Sequence, residues 1–183
     1  MDKEISGLEG RFLIETGEKK MKENVWYVRG TSSYGHFSKN LEGMIKVEAG
    51  KGNMLAKSDT EIKEYIESGN SILALCNGNV VGFVCLINYT DSVEIAALIV
   101  NSEYRGMGIG IKLAKQLMYL SKNIYPNKLV IMFANEISSH IAIKLKFVIV
   151  DKEILDNEFW DLCNDCPEFV NFPDCHCKPM MLM

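Results

Sequence analysis

The chain is expected to fold as an α/β (α+β) domain, with strand and helix signals alternating along its length, and three observations carry that expectation. Asn77-Gly78 between two apolar runs is the strongest short-range hairpin signal. Ser58-Asp59-Thr60-Glu61 has the capping-box pattern that opens a helix. From Gly108 to Lys122 the leucines 113, 117 and 120 share one helical stripe, with Lys112, Lys115 and Lys122 outside it.

The elements follow in order. Residues 1 to 23 are polar and aperiodic, with Gly7, Gly10 and Gly17, and read as a loose arm or edge element. Val25 to Arg29 has the β-branched and aromatic content of a short strand. Phe37, Leu41, Met44 and Ile45 then recur at helical spacing, weakened by Gly43, and predict a helix ending near Gly50. The helix opened by Ser58 buries Ile62, Tyr65 and Ile66, and Gly69 supplies its left-handed end. Ile72–Cys76 and Val80–Ile87 form the hairpin, and a third strand runs from Val93 to Val100. After the Gly108–Lys122 helix come a strand over Leu129–Phe133, a short helix over Ile137–Lys144 and a strand over Phe147–Val150. The apolar stretch Lys178–Met183 is expected to close the sheet. No repeat and no linker divides the chain, so residues 1–183 are expected to form one domain.

Composition excludes several function classes. At 48% hydrophobic and 24% charged, the 183 residues can bury a core without staples. A net charge of −4 offers no broad basic surface for a phosphate backbone, so nucleic acid is not an expected partner. The apolar runs fall well short of the roughly 18 residues that cross a bilayer, and Met1-Asp2-Lys3-Glu4 lacks the layout of a signal peptide. The expected location is cytoplasmic, with no membrane partner.

The segment Arg105-Gly106-Met107-Gly108-Ile109-Gly110 lies between a strand and an amphipathic helix, where free N–H groups and the positive end of the helix dipole can cradle an anion. Its bland alternative is a tight strand-to-helix turn. Two known phosphate loops fail on spacing. A dinucleotide fingerprint needs a glycine at Ile111 or Leu113, and a nucleoside triphosphate loop needs Gly-Lys-Ser/Thr, whereas Gly110 precedes Ile111 and Lys112. The pattern R-x-x-G-x-G after a buried strand resembles the GNAT superfamily of N-acetyltransferases. Val80-Val81-Gly82-Phe83, the strand Glu94–Val100, Asn135 with Ser138, and Phe147 stand in the order of that family's other markers.

The resemblance implies a mixed, mostly antiparallel central sheet flanked by helices, with acetyl-CoA as cosubstrate and an amine as acceptor. It implies that Arg105, Gly106, Met107, Gly108, Ile109 and Gly110 carry the pyrophosphate, and that the pantetheine arm runs beside Leu98, Ile99 and Val100 like an added strand. Asn135 would contact the same arm, or serve only as a helix N-cap before Ile137. The backbone N–H groups of Leu98 to Val100 would meet the oxyanion. Glu94 matches a glutamate that acts as base through water in some members. Its alternative is a strand-end carboxylate that faces solvent or pairs with a lysine, and Asp91 reads as a turn residue. The sequence departs from the family at Ala142, where a tyrosine usually meets the leaving thiolate, and at Lys146, where glycine is usual at the helix end. His140, Tyr125 and Tyr34 are candidate substitutes for the tyrosine, and both His36 and His140 read more simply as surface imidazoles.

Cys76 and Cys85 lie in apolar strands and read as small buried hydrophobes. Cys163-x-x-Cys166 and Cys175-His176-Cys177 are different, because two close thiol pairs can complete a tetrahedral zinc site with no open position. Structural zinc on Cys163, Cys166, Cys175 and Cys177, in a hairpin insertion at about 159–179, is the expectation, with disulfides, an iron–sulfur cluster or unligated thiols as alternatives. The functional expectation is an N-acetyltransferase. Its rivals are a non-catalytic acyl-CoA-binding module and a protein-docking module that uses the Cys-rich loop. The acceptor and the oligomeric state, a homodimer included, stay open.

Overall fold

The computed structural model describes residues 24–152, 162–166 and 177–183. Seven strands form one sheet: β1 (Val25–Arg29), β2 (Ser71–Cys76), β3 (Asn79–Asn88), β4 (Ser92–Val100), β5 (Leu129–Ala134), β6 (Phe147–Ile149) and β7 (Lys178–Leu182). Their spatial order is β1-β2-β3-β4-β5-β7-β6, and every neighbouring pair is antiparallel except β4 with β5. The mixed, mostly antiparallel sheet is therefore as expected. The last strand does more than close an edge, because β7 inserts between β5 and β6.

Helices α1 (Ser38–Ala49) and α2 (Asp59–Glu67) cover one face of the sheet, and α3 (Ile109–Ile124) and α4 (Glu136–Lys144) cover the other. Under α1 and α2 the core is Leu41, Ile45, Ile62, Ile66, Leu73 and Phe83, all fully buried. Under α3 it is built from Val84, Leu86, Val93, Ile95, Leu113 and Leu117. The capping box at Ser58 forms in full: its hydroxyl accepts from the Glu61 N–H, and Glu61 accepts from the Ser58 N–H at 2.8 Å. Asn77 and Gly78 take φ values of +50° and +79°, the left-handed pair that a type I′ hairpin turn demands. At the end of α4, Lys146 sits at φ +72°, so the left-handed residue that closes this helix is present without the usual glycine.

Two features of β4 shape the site. β4 pairs with β5 only over Ser92–Glu94, against Leu129–Ile131, so from Ile95 onward its edge has no β5 partner. The register with β3 also breaks: Cys85 faces Ala96 but Phe83 faces Ile99, leaving an extra β4 residue. Ala97 sits in this bulge at φ +51°. A bulge inverts the alternation of the strand beyond it. Ala96 and Ile99 accordingly both pack on the α1–α2 side, while Ile95 and Val100 face α3.

Candidate active site

Glu94 is the third residue of β4, two positions before Ala96, and so it points to the α1–α2 face. It is buried, with 7% of its surface exposed, and is not a solvent-facing strand end. The Tyr89 hydroxyl donates to its Oε2 at 3.0 Å. Burial raises the Glu94 carboxyl from the usual carboxylate range to about 7, opposed by the Tyr89 hydrogen bond and the positive charge of Lys57. A carboxyl at that value is divided between proton acceptor and donor near neutral pH, which is what general acid–base work requires. Asp91 is exposed in the β3–β4 turn, where its carbonyl accepts from Leu129 N–H at 3.1 Å. Cys85, on the same buried side, has its thiol pushed up to about 12 by burial, so it stays protonated and is no nucleophile at neutral pH.

Past the bulge, Leu98, Ile99 and Val100 form the part of β4 that lies beyond its short ladder with β5. Val100 leads through a 3-10 turn, Ser102–Tyr104, into the glycine loop. There Gly106 and Gly108 take φ +78° and +75°, and a Cβ on either would meet nothing within 4 Å. Met107 and Ile109 alternate with them and pack into the core, so the loop is anchored by two side chains and open on its glycine side. Gly108 is the N-cap of α3 and offers no side chain, and the first intrahelical donor beyond it is Lys112, bonded to Gly108 O at 3.2 Å. The N–H groups of Ile109 to Ile111 thus precede the helical ladder, at the positive end of a helix of 16 residues. Gly110 differs from the other two: a Cβ there would lie 3.0 Å from Ile141, so it serves the α3–α4 contact.

Arg105 does not lie free beside the loop. Its Nε donates to Val100 O at 3.0 Å, and its guanidinium pairs with Glu48 Oε1 at 3.0 Å. Glu48, at the end of α1, also accepts from Lys51 and Asn53, each at 2.8 Å. These contacts, led by Lys51 and then Asn53, hold its carboxyl down at about 2. Asn135 caps α4 in a capping box with Ser138, whose N–H donates to Asn135 Oδ1 at 2.8 Å. Its Nδ2 donates to the Asn53 carbonyl at 2.5 Å. Asn135 thus serves as the N-cap of α4. Segment 48–53 is tied to the end of β4 through Arg105 and to the end of β5 through Asn135, so it bridges the two strands where they part.

Sequence reasoning missed Glu48, Tyr89 and the bulge at Ala97. Glu48 did leave a signal: it continues the buried stripe Leu41–Ile45 at helical spacing, a charged residue on an apolar face. The carboxylate is depressed relative to the unfolded chain, so its contribution to stability is present above about pH 4.5 and is lost as pH falls through about 2. Glu48→Gln is therefore expected to flatten the acid limb of an unfolding-versus-pH curve. Lys51 and Arg105 are about half exposed, so water screens the pairs and the loss is smaller than the shift alone implies. Acid titrations followed by circular dichroism check this, and an unchanged acid limb would show that these contacts carry no net stability.

Of the candidates to protonate the leaving thiolate, His140 is exposed on α4, and Tyr34 and Tyr125 are half-buried. Ala142 is fully buried and leaves no side chain at the usual position. His36 is exposed, with its Nδ1 2.9 Å from Ser33 O. Of the four expected zinc ligands, Cys163 lies within a short 3-10 turn, Leu162–Asp165, and Cys166 follows it, with Cys166 N–H donating to Cys163 O at 2.9 Å, and Cys177 stands just before β7. Cys175 and His176 lie outside the described residues, as does most of the 159–179 insertion. Among the described residues no group of three or more His, Cys, Asp or Glu is arranged to hold a metal, so the zinc expectation gains no support from them. Nor does any described helix have the length and apolarity to cross a membrane.

A mixed sheet whose middle strands part, beside a left-handed glycine loop heading a long helix, has the architecture of an acyltransferase. Residues 48–145, more than half of the chain, match the model of the Acetyltransferase (GNAT) family, and the chain belongs to that family. The family is one of acetyltransferases. The fold is shared with solved structures. N-acetylglutamate synthase from Neisseria gonorrhoeae, complexed with coenzyme A and N-acetyl-glutamate, superposes with a TM-score of 0.69 at 16% identity over 87% of this chain. The chain spans about a third of that protein's length, 35%. A Mycobacterium tuberculosis protein in complex with CoA gives 0.66 at 19% identity, covering 86% of this chain and 98% of its own. A GNAT-family acetyltransferase from Staphylococcus aureus gives 0.61 at 19% identity, with 86% and 98% covered. No curated protein matches the chain in sequence.

Proposed function

We propose that this chain, acting as one acyltransferase unit, passes the acetyl group of acetyl-CoA to a primary amine by direct attack, with Glu94 as the base. The observation that carries the reading is a buried carboxyl raised to about 7 on the strand whose far end adjoins the open glycine loop. An alkylammonium of pKa near 10.4 is neutral only about once in 10³ molecules at pH 7, so a base is needed. Glu94, reached through a water molecule, takes that proton. The amine nitrogen then attacks the thioester carbonyl, the C–N bond forms and the C–S bond breaks, the nitrogen gives up its second proton to solvent as the amide forms, and the CoA thiolate leaves and takes up a proton from solvent.

The N–H groups of Leu98 to Val100 are the donors for the oxyanion, since the parting of β4 from β5 leaves that edge accessible. The same edge takes the pantetheine arm in the manner of an added strand. Arg105 to Gly110 take the pyrophosphate, chiefly through backbone N–H groups, because the Arg105 side chain is engaged by Glu48. Asn135 carries a second amide hydrogen besides the one on Asn53 and can offer it to the arm. Direct attack is favoured over an acetyl-cysteine route by the protonated state of Cys85. Thiol release from acetyl-CoA across a panel of amines, polyamines, amino acids and peptides tests the reading. Binding of acetyl-CoA without release for any acceptor would leave only a binding module.

Zinc in the C-terminal loop rests on the sequence spacing of the four cysteines. About one equivalent of zinc is expected by elemental analysis of reduced protein purified without chelator. Acetyl-CoA binding should survive chelation, because the glycine loop follows β4 rather than β7. Metal-free protein with two disulfides by mass spectrometry would replace zinc by a redox pair of bridges.

A further inference from the structure

The turn between β3 and β4 is fastened in a way that bears on the base. Tyr89 N–H donates to Ser92 O at 3.0 Å, closing the turn on itself. Lys128, one residue before β5, reaches across to it: its ammonium donates to Asn88 Oδ1 at 2.8 Å and to the Tyr89 carbonyl. Its charge also stands over the Tyr125 ring at 5.6 Å. The backbone of Tyr89 is thereby pinned to the strand that flanks β4. Its phenol then projects to Glu94 Oε2 at 3.0 Å.

We propose that Tyr89 is a positioning residue for the base: its phenol, held from behind by Lys128, fixes the orientation of the Glu94 carboxylate and favours its ionised, proton-accepting form. The inference rests on the reading of Glu94 as base, but its physical content is separate from it. A donor to a carboxylate stabilises the charged form over the neutral one, and the effect is largest where water is excluded. Among the described residues, few other titratable groups act on Glu94 or feel its charge. Lys57, before α2, favours its ionised form, while Tyr65 on α2 and Cys85 on β3 are held neutral by burial. Glu61, one turn of α2 before Tyr65, and Glu64, next to it in the chain, act on Tyr65. Tyr89 is the group that both touches the carboxylate and lowers its proton affinity most.

The test titrates Glu94 directly in the whole protein, with glutamate ¹³C-labelled at the side-chain carboxyl and the resonance assigned by its loss in Glu94→Gln. In Tyr89→Phe the Glu94 midpoint is expected to rise, by about one unit for a lost charge-assisted hydrogen bond. Lys128→Met should raise it less, and the double variant should match Tyr89→Phe alone, because Lys128 acts through Tyr89. A Tyr89→Phe midpoint that is unchanged or lower overturns the proposal, as does a double variant whose shifts simply add. The acidic limb of kcat/KM with an amine from the panel should move with the same midpoints while the Kd for acetyl-CoA stays constant. If the midpoints move and the rate limb does not, Tyr89 still positions Glu94 and it is the base assignment that falls.

Discussion

Glu94→Gln is expected to lower turnover about 100- to 10,000-fold, the range that a positioned general base contributes, with acetyl-CoA affinity nearly unchanged. Glutamine keeps the size of the side chain and its place on β4 but cannot take a proton. The same substitution has a stability signature of opposite sense. The folded-state value of Glu94 is raised from 4.5 to about 7, so the fold favours the protonated form. Ionisation therefore costs nothing below about pH 4.5, costs progressively more as pH rises, and reaches its full cost above about pH 7. Glu94→Gln should be more stable than the parent at pH 8, by on the order of 3 kcal/mol at about 1.4 kcal/mol per unit, and should show no such gain at pH 4. Thermal unfolding at the two pH values, beside steady-state rates from pH 6 to 9, checks both halves. Parental rates across that range would make Glu94 a structural residue.

Gly108→Val is expected to weaken acetyl-CoA binding about tenfold or more, equivalent to about 1.4 kcal/mol, as read by calorimetry. Two effects act together. A Cβ at Gly108 would meet nothing within 4 Å, so a branched side chain there would fill open space on the loop proposed to take the pyrophosphate. The φ of +75° is also strained for any residue bearing a Cβ, by about 1–2 kcal/mol. Gly108→Ala separates the two, because it carries the strain with far less bulk. A valine variant that is folded and binds with parental affinity would remove the glycine loop from the cofactor site.

The relation of sequence to structure can be argued from particular elements. Strand β1, the capping box at Ser58, the Asn77-Gly78 turn and the α3 stripe were legible because each depends on contacts within a few residues: a hydroxyl to a nearby N–H, a pair of left-handed dihedrals, a repeat of 3.6. The insertion of β7 between β5 and β6 was not, since strand order is set by partners far apart in the chain.

The candidate site divides in the same way. The glycine loop was a candidate from residue type and position after a strand, and Glu94 from the resemblance to the family. The bulge at Ala97 could not be read, because nothing in Ala96-Ala97-Leu98 departs from an ordinary buried strand; the mismatch arises only against β3. Glu48, 57 positions earlier, pairs with the Arg105 side chain, and Asn53 accepts from Asn135, partners that residue type alone does not reveal. The sequence by itself determined which segments become strands and helices, which glycines are the candidates to cradle an anion and which carboxylate is the candidate base. Only the tertiary structure decided that carboxylate's proton affinity and the partners of each polar side chain, because burial and charge neighbours are properties of packing between segments that the chain brings together from a distance.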